Sequence, residues 1–174
     1  MSQRIPKSIW LVTILVALIL GIWPGIVLAQ DHYAGFAVLI GWAAFPISIY
    51  SLISGQFHLD GLTLFQWAMY LAYPFAMLGY SACAYWVIRH TGARRKGLML
   101  AVVAAFVSTL ATIPATRIAI SIVQNVPFSF YIGAWQMNVI ILIQLLISAV
   151  LGWLISVGLI RLRHRRREEL VDVA

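Results

Sequence analysis

Apolar residues run along this chain in long blocks, and polar or charged residues gather in short clumps between them. The blocks cover about 9–29, 35–53, 63–88, 98–118 and 138–160. Each is close to or above the roughly 20 residues that cross a hydrocarbon core of about 30 Å as a helix. Lipid offers no partner to backbone N–H and C=O groups, so a spanning segment must satisfy them internally, which predicts helices. The alternation and regular turn spacing of an outer-membrane barrel are missing. The expected fold class is an all-α integral membrane protein. One bundle of five transmembrane helices occupies residues 1–160, and a basic cytoplasmic tail follows over 161–174.

Composition points the same way. Of the 174 residues, 63% are hydrophobic and 10% are charged, whereas soluble domains carry about 25% charge. This argues against a soluble enzyme, a nucleic-acid-binding domain and a disulfide-built module. The single cysteine, Cys83, lies within an apolar block and can form neither an internal disulfide nor a CxxC pair. The net charge of +7 reads as Lys and Arg flanking membrane helices on the cytoplasmic side.

The basic residues set an orientation. Arg89, Arg94, Arg95 and Lys96 lie between the third and fourth blocks, and Arg161, Arg163, Arg165, Arg166 and Arg167 follow the fifth. Both groups belong on the cytoplasmic face of a multi-pass protein, with the C-terminus inside. Arg4 and Lys7 then pose a conflict, because five crossings place them outside. An alternative of four spans removes it, with 35–53 lying in the interface or dipping in and returning; Gly41 and Pro46 would allow a broken helix. A third reading treats the start as a secretory signal cleaved after Val27-Leu28-Ala29.

The helix faces carry further patterns. At 100° per residue, Gln66, Tyr70, Tyr73, Met77, Tyr80 and Ala84 fall within about 40° of one line. Tyrosine hydroxyls in hydrocarbon need partners. The stripe is therefore expected to face protein, as a hydrogen-bonded helix interface or as the wall of a pocket for an amphipathic ligand. The fourth block has a small-residue seam of Ala101, Ala105, Ser108, Thr112, Ala115 and Ala119, and small residues let membrane helices approach closely. Gln144, Ser148 and Gly152 step by four along the fifth block and form the expected partner surface. Arg117 follows Lys96 by 21 residues, a rise of about 31 Å, so it can snorkel to outer headgroups or form an anion or salt-bridge site with Asp60.

Candidate chemistry is sparse. Asp31-His32 and His58-Leu59-Asp60 each pair a group that titrates near neutrality with a carboxylate. They suit a proton relay or a metal only if both lie outside, as the four-span alternative allows. The four histidines sit at or beyond segment ends, which disfavours a haem-binding bundle with its central histidine ligands. There is no P-loop, HExxH or GxSxG motif. No catalytic residue, metal or cofactor is expected.

The arginines after the last block should meet anionic lipid headgroups. Beyond the bilayer, the expected partners are other membrane subunits or a second copy. The general character is that of small bacterial inner-membrane proteins, with no motif that fixes a family. The expected function is a non-enzymatic accessory, assembly or immunity/exclusion-type protein acting through helix contacts. The alternative is a component of a small-molecule or ion transporter using Tyr70, Tyr73, Tyr80 and Arg117, and the third is a metal or haem redox protein.

Overall fold

The computed structural model describes residues 5–30, Trp42, 61–125 and 135–172. Four helices account for nearly all of them: α1 (Lys7–Gln30), α2 (Gly61–Thr91), α3 (Arg94–Gln124) and α4 (Trp135–Asp172). At 1.5 Å per residue, the 24-residue α1 measures about 36 Å and the 38-residue α4 about 57 Å. Two helical stretches, Arg94–Ile122 and Asn138–Arg166, are long and apolar enough to cross a membrane, and Lys7–Trp23 is a shorter apolar helix. Five spans are not supported among the described residues. Apart from Trp42, the 35–53 block lies outside them.

The break between α2 and α3 follows from one residue. Gly92 adopts φ +67°, a left-handed conformation that side chains disfavour, and its N–H donates to Ile88 O at 2.8 Å. This is the usual glycine stop of a helix. Thr91 Oγ1 donates to Val87 O and accepts from Ala93 N–H, so the turn has its own side-chain support. The two helices then run back against each other, and a Cβ on Gly97 would meet Ile88 Cγ1 at 2.6 Å.

Contacts fix every helix direction. Ser108 and Thr112 on α3 donate to Ala17 O and Gly21 O on α1. The numbers rise together, so α1 and α3 are parallel. Gly79 on α2 lies against Leu20 and Val16 of α1, and Cys83 and Val87 cluster with Ile9. These numbers run in opposite senses, so α1 and α2 are antiparallel. Along α4, Gly152 and Ser156 meet Met77 and Ser81 of α2, a parallel pair. Trp153 Nε1 donates to Arg94 O and closes α4 onto the start of α3.

Two consequences follow. Every basic residue in the described helices except Arg117 gathers at one end: Lys7, the α2–α3 turn and the last turns of α4. The last turn of α1 and the first turn of α2 lie together at the other end. The expectation of five spans is corrected to what the described residues support: two stretches long and apolar enough to cross a membrane, in α3 and α4, and a shorter apolar stretch in α1.

The core holds small residues around two phenols. Ala17, Tyr73, Ala76, Tyr80, Ala101, Ala104, Ala105, Ile141, Leu145 and Ala149 form one buried cluster. Large aliphatics point outward all round, with Leu11 70% and Ile122 75% exposed.

Candidate functional site

The tyrosine stripe of α2 turns inward to its neighbours. Tyr73 and Tyr80 are buried, Met77 is half-buried and Ala84 is fully covered. Tyr80 OH donates to Ser108 Oγ at 2.7 Å, and Ser108 Oγ donates to Ala17 O at 2.8 Å. One hydrogen-bonded relay thus joins α2, α3 and α1. The side chains of Gln66 and Tyr70 lie outside the described residues.

The small-residue seam of α3 meets α1, where α4 was the expected partner. A Cβ on Gly21 would collide with Ser108 O and Ala111, and one on Gly25 would lie 2.7 Å from Ala115 Cβ. The reason is visible in α1: Ala17, Gly21 and Gly25 recur every four residues, and two small-residue faces allow the closest backbone approach. Sequence reasoning passed over this run, although Gly21-xxx-Gly25 is a readable packing signal. Ala101 and Ala105 also sit in the core that Ile141, Leu145 and Ala149 of α4 share.

The α4 stripe divides between two partners. Gly152 sits against α2, where a Cβ would lie 2.5 Å from Met77 O. One turn later, Ser156 Oγ donates to Ser81 O at 2.7 Å and shares a bond with Ser81 Oγ. Gln144 and Ser148 instead hold Trp42: Gln144 Oε1 accepts from its backbone N–H at 3.2 Å, and Ser148 Oγ from its indole Nε1 at 3.1 Å. Ser148 lies 13 residues into α4, or about 20 Å along it. Trp42 therefore reaches well inside the bundle.

Arg117 is partly buried on α3 near the end opposite the basic cluster. Asp60, Asp31, His32 and His58 lie outside the described residues. Among the described residues, no group of three His, Cys, Asp or Glu side chains comes together.

Two concavities among the described residues lie between helices. An apolar groove of about 510 Å³ runs between α1 and α3, lined by Leu18, Ile22, Ile26, Pro114, Ala115 and Ile118 among others. At the basic end, a cleft of about 420 Å³ separates the α2–α3 turn from α4. The chain matches no protein-family model, and neither the curated proteins nor the solved structures give a match.

Proposed function

We infer that this chain is a multi-pass protein of a bacterial inner membrane. On this reading it crosses four times, with both ends of the bundle sequence in the cytoplasm. It acts through helix contacts as an accessory, assembly or immunity/exclusion-type subunit. The observation that carries the reading is the use of the buried serine and threonine hydroxyls and of Tyr80. Tyr80, Ser108, Thr112, Ser148 and Ser156 all bond to neighbouring helices, to Trp42 or to their own helix. Hydroxyls engaged in this way hold a bundle together and leave little free for chemistry on a substrate.

The membrane setting draws support from the outward aliphatics, since soluble monomers rarely expose contiguous apolar patches above a few hundred Å². The gathering of basic residues at one end supports a cytoplasmic location for that end. The mid-bundle position of Trp42 supports 35–53 as a segment that dips in and returns. Transport is the lesser reading, because a solute path along the tyrosine stripe would have to displace the bond from Tyr80 to Ser108.

The α1–α3 groove is the surface on which a partner membrane helix would seat. A photo-crosslinking residue placed at Ile118 in growing cells tests this. The reading expects one discrete crosslinked product, which disappears when Ile22→Trp, an exposed position on the groove wall, fills the groove. Monomer alone at every groove position, together with a monomeric mass after mild extraction, would overturn it.

A further inference from the structure

The cleft at the basic end has the make-up of an anion site. Arg89 at the end of α2, Arg94 at the start of α3, and Arg161, Arg163 and His164 on α4 converge on it, with Gly92 at its mouth. Among the described residues, none of the nine that line it is acidic. Like charges brought together from three helices repel one another, and a bound anion relieves that repulsion. Arg163 is also held in place, because its NH1 donates to Tyr85 OH at 3.0 Å across the α2–α4 interface. An arginine fixed in this way presents a preorganised fork of donors suited to phosphate oxygens.

Three further features agree. The volume of about 420 Å³ falls within the range of small-ligand pockets. Gly92 leaves open space where a Cβ would stand, so the mouth stays clear. Helix α3 opens into the cleft with no side-chain cap on Ala93, adding the positive end of a helix to the arginines.

We propose that this cleft binds a phosphate group, taken from an anionic phospholipid headgroup or from a free phosphate. Ile88 and Ile160 form its apolar walls and would lie against the glycerol and first acyl carbons of a lipid. The proposal goes beyond the membrane reading, and its inorganic-phosphate arm requires no bilayer, so the two can fail separately.

The test uses the full chain in nanodiscs of phosphatidylcholine alone or of an equimolar phosphatidylcholine and phosphatidylglycerol mixture. Phosphatidylglycerol retained after extraction is counted by native mass spectrometry, and inorganic phosphate binding is titrated separately in detergent. Arg89→Gln with Arg163→Gln should weaken retention of phosphatidylglycerol roughly a hundredfold, the product of about tenfold for each lost charge-assisted arginine–phosphate hydrogen bond. Arg165→Gln with Arg166→Gln, in the same tail but outside the cleft, removes equal charge and should weaken it far less.

Saturable inorganic phosphate binding that competes with the lipid would assign the site to free phosphate. Lipid retention that phosphate does not displace would assign it to the headgroup. Equal losses from both variant pairs, or equal retention of phosphatidylcholine and phosphatidylglycerol, would overturn the proposal. Unchanged melting temperatures of the variants separate loss of binding from loss of folding.

Discussion

The Tyr80 hydroxyl donates to Ser108 Oγ at 2.7 Å, and Ser108 Oγ donates in turn to Ala17 O at 2.8 Å. Two side chains, 28 residues apart in sequence, therefore tie three helices at one level. Interhelical hydrogen bonds in membrane bundles contribute about 0.6–2 kcal/mol each. Ser108→Ala removes both bonds and strands the Tyr80 hydroxyl, so it should cost about 2–3 kcal/mol. Tyr80→Phe leaves the bond to Ala17 intact and should cost about 1 kcal/mol. Reversible unfolding in mixed micelles measures both, and a larger loss for Tyr80→Phe would contradict the relay.

Glycine positions should sort sharply by what faces them. A Cβ on Gly21 would collide with the Ser108 carbonyl, whereas one on Gly158 would meet nothing within 4 Å. Gly21→Ala forces α1 away from α3, and overpacking of this kind costs about 1–3 kcal/mol or more. Gly158→Ala should be neutral or stabilising by up to about 1 kcal/mol, since alanine is the better helix former. Thermal unfolding of the two variants side by side checks the ordering.

Much of this was legible in the sequence, and the gaps have physical causes. Helical character and the α2–α3 break follow from the long apolar blocks and from the basic residues Arg89, Arg94, Arg95 and Lys96 between the third and fourth. The burial of Tyr80, whose hydroxyl bonds Ser108, follows from the cost of a phenol facing hydrocarbon. Partner choice did not follow. Seam residues Ser108 and Thr112 announce a close contact, but a seam does not name its mate, and chain neighbours make a misleading default. Span number failed for a related reason: hydropathy counts apolar residues over 35–53, while the return of the chain to one end depends on how α1 and α2 pair.

The level of Trp42 can be trapped chemically. Its indole Nε1 lies 3.1 Å from Ser148 Oγ. With Cys83→Ala as background, the pair Trp42→Cys and Ser148→Cys should crosslink with a short bifunctional maleimide. Trp42→Cys with Ile160→Cys should not, because Ile160 lies 12 residues, about 18 Å, further along α4. The reverse preference would place the segment elsewhere.

Cys83 is 4% exposed and clusters with Ile9, Val87 and Leu100. It should resist bulky maleimides in the folded protein and label fully once unfolded by detergent and urea. Rapid labelling of the native protein would mean that the α1–α2 interface is open.

The most direct measurement is sidedness at the two ends of the 31–60 connection. His32→Cys and His58→Cys, each in the Cys83→Ala background, are treated with a membrane-impermeant maleimide on intact spheroplasts and on inverted vesicles. Four crossings with the basic end inside predict that both positions label from the outside and neither from the cytoplasmic side. Labelling from opposite faces would restore a crossing between them and contradict the bundle described above.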